Sequence, residues 1–266
     1  MKQLTVFAIS VFTIPLSSCI HTERVSLEID FSQAPSWKYL FAVDISGHVR
    51  AADSLREFSS SLRTYLSGEK TPHDAGAVRF KTGQASIQTD FLSNEERTHL
   101  EKQCENIVVY FSPREGAVQA VDTALPPLFN FGGWDLFRSF ARVLPVLPES
   151  RVAIGGTWER ERNIPIETSA GNATGWLFQS FILDSIFMID SSRNAALSWQ
   201  FTYRIQPDSS GVLDSLPLRG SGAGNAVIDL SRKRMRTAHA FFEVPERSDA
   251  AVKTAWQETV HVEIVD

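Results

Sequence analysis

Hydrophobic and polar residues alternate with a period of two along much of the chain after residue 25. Because successive side chains of a β-strand point to opposite faces, this pattern predicts strands with one buried and one wet face, as in an antiparallel sheet. The alternating sets are Val25 to Phe31, Tyr39 to Ile45 before a predicted turn at Ser46-Gly47, Ile107 to Phe111 with a hairpin turn over 112–116 and a second strand at Val118 and Ala120, Phe181 to Ile189, Leu197 to Ile205, and Val252 to Ile264.

Three segments have helical signals instead of alternation: a capping box, apolar residues every three to four positions, or an apolar stripe bounded by prolines. They are the segment from the Ser93/Glu96 capping box to about Glu105, the segment with Leu55, Phe58, Leu62 and Leu66 on one face, and the segment from about Trp134 to Leu144 between Pro126-Pro127 and Pro145. The sequence therefore predicts a mainly β protein with a few helices, of the α+β class.

The first residues have the pattern of an export signal. Met1-Lys2-Gln3 is a short, positively charged start, and the mostly apolar run from Leu4 to Leu16 is too short to cross a bilayer as a permanent helix. We interpret residues 1–18 as a cleaved signal peptide.

The residues that follow, Leu16-Ser17-Ser18-Cys19, resemble the lipobox of bacterial lipoproteins. This resemblance implies cleavage before Cys19, a diacylglycerol on its sulfur, and an acylated N-terminus, which together give stable membrane anchoring. Ile20 stands where many inner-membrane lipoproteins have aspartate, so the resemblance favours the cell envelope, at the outer membrane facing the periplasm if the organism is Gram-negative. The alternative is an ordinary signal peptide followed by a coincidental cysteine.

Cysteine content and net charge limit the possible disulfides and binding partners of the protein. If Cys19 carries the anchor, Cys104 is the only other cysteine, and a mature monomer has no intramolecular disulfide. The net charge is −5 without a long basic block, which makes nucleic acid a poor partner. The partners that remain are the membrane through the lipid anchor, a lipid or other hydrophobic ligand, and an envelope protein.

Two stretches of the mature chain resemble some uncharacterised bacterial lipoproteins, over roughly residues 140–245. One is Leu144 to Trp158, with Pro148, Gly155-Gly156 and Trp158; the other is Gly220-Ser221-Gly222-Ala223-Gly224 followed by Ile228-Asp229-Leu230 and a turn at 231–233. Such families look like relatives of curved, half-open β-barrels that carry lipids or lipoproteins. The resemblance implies a curved antiparallel sheet or half-open β-barrel. Because the chain on each side of the Pro-flanked segment consists of predicted strands with one or two helices, two similar halves are one possible arrangement.

The predicted organisation has five parts. They are a signal peptide at 1–18, a lipidated N-terminus and short tether at 19–24, an N-terminal β-rich half at 25–125, a Pro-flanked helical joint at 126–150, and a C-terminal antiparallel β half at 151–266.

No residue pattern predicts a catalytic, metal or cofactor site. The six histidines are scattered, although His239 and His261 could be neighbours across a sheet, and no nucleophile elbow occurs. Glu159 and Glu161 share one face of a predicted strand, where a two-acid site and a solvated charged face are the alternatives. The glycines at 220, 222 and 224 are interpreted as positions for strand curvature or close approach of a neighbour.

Aromatic residues are the remaining candidates for function, with six Trp and eighteen Phe in the chain. Most of them fill the core, but a curved sheet can also enclose an apolar cavity. The candidate ligand-lining residues are Trp176, Phe178, Trp199, Phe201 and Trp256. Two functions remain open: binding of a lipid or other hydrophobic ligand in a concave sheet, and a structural or interaction role in the envelope without a small ligand.

Replacing Cys19 by serine tests the lipobox. We expect Cys19→Ser protein to incorporate no labelled palmitate and to leave the membrane fraction, because the serine oxygen is not an acceptor for the diacylglycerol. Cys104→Ser is the matched control and keeps both properties. Palmitate labelling that persists in the Cys19→Ser protein would contradict the prediction.

Overall fold

The computed structural model describes residues 23–52, 54–69, 78–112, 117–121, 130–131, 134–135, 143–168, 171–207, 219–246 and 252–265. Within these residues eleven strands form one antiparallel sheet, and two further two-stranded pairs are small. In spatial order the large sheet consists of β10 (Thr157–Thr168), β11 (Gly171–Ile189), β12 (Ser192–Pro207), β13 (Arg219–Asp229), β14 (Arg234–Val244), β15 (Val252–Ile264), β2 (Lys38–Ala51), β3 (Ser54–Glu69), β4 (Val78–Thr89), β5 (Val108–Ser112) and β6 (Ala117–Val121).

Strand β15 joins the two ends of the chain by pairing with β2, so the N-terminal and C-terminal strands form one continuous sheet. Strands β10 and β6 lie at its two edges and do not pair with each other among the described residues. The protein is thus mostly β, with a large curved antiparallel sheet that is not closed into a barrel. This confirms the predicted fold class.

The first predicted strand, from Val25 to Phe31, is wrong after Val25. Only β1 (Arg24–Val25) is paired, with β9 (Val152–Ala153), and a 3₁₀ helix occupies Phe31–Ser36. The Asp30 carboxylate accepts a hydrogen bond from the Ser32 N–H at 3.1 Å and so caps this helix. The local cap outcompetes the strand that alternation predicts for Ile29 and Phe31.

The predicted turn at Ser46-Gly47 is also wrong, because β2 continues through it to Ala51. Gly47 lies opposite Trp256 on one side and Phe58 on the other. A Cβ on Gly47 would collide with the Ala255 carbonyl oxygen and lie 2.8 Å from the Phe58 ring. This glycine therefore permits close packing inside a strand and does not reverse the chain.

The amphipathic helix predicted over 55–66 is strand β3. Phe58, Leu62 and Leu66 are buried, whereas Leu55 is 55% exposed. A spacing of four residues is an even number, so these three side chains share a face in a strand as well as in a helix. Pairing with β2 and β4 on both sides decided between the two periods.

Helix α1 (Asn94–Gln103) confirms the capping-box prediction. The Ser93 hydroxyl accepts a hydrogen bond from the Glu96 N–H at 3.3 Å, and the Ser93 N–H donates to the Glu96 carboxylate at 2.9 Å. Leu100 and Cys104 are buried against the inner face of the sheet.

The helix predicted to begin at Trp134 is wrong at its start. Trp134–Asp135 is strand β8, paired with β7 (Asn130–Phe131), and residues 136–142 lie outside the described residues. Val143 and Leu144 are part of the buried core.

A bulge at Asp184 changes the predicted phase of β11. The register shifts between Leu183 and Ser185, so Leu183 lies opposite Leu197 and Ile186 lies opposite Ala195. The inward face therefore continues from Leu183 to Ile186, and not to Ser185 and Phe187 as strict alternation predicts.

Three aromatic rings cover the three glycines of β13. Tyr203, Phe201 and Trp199 lie opposite Gly220, Gly222 and Gly224, and a Cβ on each glycine would collide with the ring of its partner. This confirms the sequence interpretation of close approach. The rings lie flat across the inner face because the neighbouring strand has no side chains there.

Replacing Gly224 by alanine is expected to destabilise the fold by about 1–3 kcal/mol, because the added methyl displaces the Trp199 ring from a packed interior. The midpoint of urea unfolding measures this change. Ala223→Ser on the exposed face of the same strand is the control and is expected to stay within about 0.5 kcal/mol. Equal stability of the two variants would contradict close ring packing.

Candidate functional site

The sheet separates the five predicted ligand-lining aromatics into two groups. Trp199, Phe201 and Trp256 are 2–4% exposed and belong to the buried cluster on the inner, concave face. Trp176 and Phe178 alternate with the inward-facing Leu177 and therefore lie on the outer face, where Phe178 is 42% exposed. The structure thus brings three of the five residues to one surface and two to the other.

The inner face is an apolar surface that runs across the sheet. Phe201 stacks on Phe242 with ring centroids 5.5 Å apart, and Phe181 stacks on Trp158 at 5.3 Å. The Trp158 indole N–H donates a hydrogen bond of 2.7 Å to the Val146 carbonyl, which fastens the segment 143–147 over β10. Rows of this kind from neighbouring strands make the inner face continuously apolar across these strands.

A polar pair interrupts this apolar surface near the edge strand. The Gln179 side chain is 3% exposed, and its carbonyl oxygen accepts a hydrogen bond of 2.9 Å from the Arg162 guanidinium. Burial lowers the pKa of Arg162 to about 10, so the guanidinium remains charged at neutral pH. The pair places a positive charge and an amide inside the curved sheet.

Two of the buried donors on the inner face have no acceptor among the described residues. They are the Gln179 amide nitrogen and the Trp199 indole nitrogen, neither of which has a hydrogen-bond partner. An unsatisfied buried donor costs about 1–3 kcal/mol, and native proteins rarely keep one without a reason. Both atoms are donors, so the partner that would satisfy them is an acceptor such as an ester, carboxylate or phosphate oxygen.

The outer face has a different kind of depression, which we call the outer groove. It consists of two adjoining pockets of about 460 and 410 Å³ that share Phe178 and Thr202. Its outward-facing side chains are Glu159, Glu161, Phe178, Ser180, Gln200, Thr202, Arg204, Arg219 and Ser221, and Arg160, Gln179, Phe201, Tyr203, Gly220 and Pro245 complete the lining.

The predicted histidine neighbours are confirmed as a pair. His239 lies opposite His261 with ring centroids 5.9 Å apart, and burial together with the charge of His261 lowers the pKa of His239. In the described part of the chain, no three His, Cys, Asp or Glu residues are grouped as metal ligands.

The alternation of Glu159 and Glu161 with Arg160 and Arg162 is confirmed. Both glutamates are exposed on the outer face, and both arginines are partly covered on the opposite face. The carboxylates therefore belong to the outer groove, and the arginines face the inner surface.

Gln179 is not among the predicted site residues, although the residue pattern of β11 contains a signal for it. Leu177, Gln179 and Phe181 occupy successive inward positions of β11, and Gln179 is the polar one. Glu258, between Trp256 and Val260 on β15, repeats this pattern and is 1% exposed. A polar residue in the apolar phase of a predicted strand marks a buried polar site.

The proposed lipid anchor lies outside the described residues, because the description begins at residue 23. Lipidation of Cys19 therefore stays a prediction. Among the helices of the described residues, none is both long enough and apolar enough to cross a membrane.

No protein-family model and no curated protein matches the chain. A solved structure on lipid–protein interactions in lipovitellin is similar with a TM-score of 0.47 and 10% identity, covering 87% of this chain and 25% of lipovitellin; the chain thus spans about a quarter of that protein. The hypothetical lipoprotein YmcC from Escherichia coli K12 has a TM-score of 0.35 and 9% identity, covering 90% and 89% of the two chains.

A protein of the LolA superfamily from Nitrosomonas europaea has a TM-score of 0.17 and 8% identity, covering 85% of this chain and 84% of its own. These TM-scores all lie below 0.5 and carry no argument about activity.

Cys104 is expected to be unreactive in the folded protein. Burial, with smaller contributions from Glu101 and Glu105, raises the pKa of its thiol to about 12, so the nucleophilic thiolate is scarce at pH 8. We expect iodoacetamide to label Cys104 of the Cys19→Ser protein in urea and to leave it unlabelled in buffer, as measured by mass. Rapid labelling of the folded protein would contradict the buried position.

Proposed function

We propose that this protein is a cell-envelope lipoprotein, anchored through Cys19, whose concave inner face binds an acyl lipid or a similar amphiphilic ligand. The proposed role is binding without catalysis. In a Gram-negative organism the protein would face the periplasm from the outer membrane.

The observation that carries this proposal is the pair of buried donors without acceptors, the Gln179 amide and the Trp199 indole N–H. In a filled hydrophobic core, both unsatisfied donors would lower the stability of the fold, and no hydrogen bond would offset this cost. In a binding site, a ligand oxygen would satisfy them and recover that free energy on binding. The donors therefore favour a ligand site over a core.

The surroundings of these donors indicate an amphiphile. Phe181, Phe201 and Phe242 belong to one buried apolar cluster, and Arg162 adds a charged donor next to Gln179. Acyl chains match the aromatic rows, and ester or phosphate oxygens match the donors. A purely hydrocarbon ligand would leave the donors unsatisfied.

The alternative, a partner protein that docks on an exposed sheet edge, has weaker support. Edge strand β10 alternates glutamate and arginine from Glu159 to Arg162. Charged side chains on an edge strand disfavour the addition of a further strand.

Gln179→Glu separates ligand binding from folding. The new carboxylate still accepts the hydrogen bond of Arg162, so the fold is retained, but it replaces the donor by a negative charge that repels a ligand oxygen. Loss of the amide hydrogen bond, together with the repulsion between the new carboxylate and the ligand oxygen, predicts about tenfold weaker lipid retention or more. Native mass spectrometry with lipid extraction, on a soluble form that starts at Ile20, measures the retained lipid.

Gln88→Glu, at an exposed position on β4, is the matched control and should retain lipid like the wild type. If the wild-type protein retains no lipid and takes up no added phospholipid, the inner face is a filled core and the interaction role replaces the carrier role.

A further inference from the structure

The outer groove is built on consecutive strands in direct register. Glu161 lies opposite Phe178, Phe178 opposite Thr202, and Thr202 opposite Ser221, so their side chains form one row across β10 to β13. The neighbouring row contains Glu159, Ser180 and Gln200 in the same way. Strand pairing holds these functional groups at fixed separations, as a preformed site requires.

Several polar side chains of the groove have no partner within the described part of the chain. Among the described residues, no hydrogen bond or ion pair involves the side chains of Glu161, Gln200, Thr202, Arg204 or Arg219. Other charged side chains on the outer face of this sheet form ion pairs. Asp44 pairs with Arg63 at 3.4 Å, and Glu69 pairs with Arg79 at 3.1 Å. The groove thus concentrates hydrogen-bonding groups that remain available to a ligand.

Phe178 gives the groove an apolar platform at its centre. Its side chain is 42% exposed, makes no ring contact with another described aromatic residue, and belongs to both pockets. The face of an aromatic ring carries partial negative charge and attracts the positive edges of C–H groups. A ligand that crosses the groove would therefore stack a C–H surface on this ring.

The two ends of the groove have opposite charge, with Glu159 and Glu161 at one end and Arg204 and Arg219 at the other. An anionic headgroup that suits the arginines would be repelled by the glutamates. Sugar hydroxyls donate to carboxylates and accept from guanidiniums, so a polyol can use both ends without carrying charge. Groups of this kind recur along every unit of a saccharide chain, together with C–H faces that suit Phe178.

Strand-like peptide binding does not suit this position. The groove lies on the face of the sheet across β10 to β13, where the backbone groups of β11 and β12 are paired on both sides, and only β10 of these strands is an edge strand. A peptide that adds to a sheet needs an unpaired edge. The groove is open and carries charged side chains at both ends, so it also differs from the enclosed apolar pockets that hold drug-like ligands.

We propose that the outer groove is a saccharide-binding site, in which a sugar ring stacks on Phe178 while its hydroxyls bond to Glu161, Gln200 and Thr202 on one side and to Arg204 and Arg219 on the other. The side chains named here lie on the face of the sheet opposite the aromatic rows of the proposed lipid site.

The test is isothermal titration of the full-length protein in detergent with hexamers of glucose, N-acetylglucosamine, mannose and galacturonic acid. We expect saturable binding of at least one hexamer. Phe178→Ala and Glu161→Gln should each weaken this binding by about tenfold, through loss of stacking and of a charged acceptor. Both residues are exposed, so unchanged melting temperatures should accompany the loss.

Phe241→Ala is the matched control, since Phe241 is 37% exposed on the same face but does not line the groove. It should bind saccharide like the wild type. The proposal is overturned if no hexamer saturates by about 10 mM, or if Phe241→Ala weakens binding as much as Phe178→Ala. Binding to anionic vesicles, or self-association, that is lost in Phe178→Ala without any saccharide binding would equally overturn it.

Discussion

Strand β15 pairs with β2 along its whole length, from Val252 opposite Ala51 to Ile264 opposite Tyr39. This contact joins residues from the two ends of the chain, and it joins them in phase, because Val260 lies opposite Val43 on the inner face. A slip of one residue would turn every inward side chain of one half toward solvent. The continuous inner face, and with it the distinction between the two surfaces of the sheet, depends on this register.

The same three strands, β10 to β12, serve both surfaces. On β11, Gln179 faces the inner surface and Phe178 the outer groove, although they are consecutive in the chain. Alternation therefore lets one short segment contribute a buried donor to the proposed lipid site and an exposed ring to the proposed saccharide site. A protein with both sites would hold a lipid on one side of the sheet and a sugar chain on the other.

The elements that the sequence predicted well are those with local causes. The capping box of α1 and the hairpin of β5 and β6 need only residues close in sequence, and both are present. The predictions were wrong where a residue spacing fits both the helical and the strand period, or where a β-bulge interrupts the alternation of a strand. The spacing of Phe58, Leu62 and Leu66 fits a helix and a strand equally. The bulge at Asp184 changes which residues of β11 face inward, and the adjacent sequence contains no signal for it.

Candidate sites were harder to predict than strands, because a site depends on which face each strand turns inward. Aromatic content alone grouped Phe178 with Phe201, whereas the register places them on opposite surfaces. The polar residue in the apolar phase of β11, Gln179, was visible in the sequence, but its significance required the buried neighbour Arg162. The opposed charges of the outer groove come from three strands, β10, β12 and β13, and have no local signature.

The sequence by itself determined the alternating strands, the α+β class, the capped helix and the close approach at the β13 glycines, because period-two patterning, capping and glycine placement act over a few residues. Only the tertiary structure decided that both halves form one open sheet and that Trp199 and Trp176 lie on different surfaces. It also decided that the buried donors of Gln179 and Trp199 have no acceptor in the described part of the chain. These properties depend on pairing between distant strands, whose register is selected by the burial of a whole face and not by any single segment.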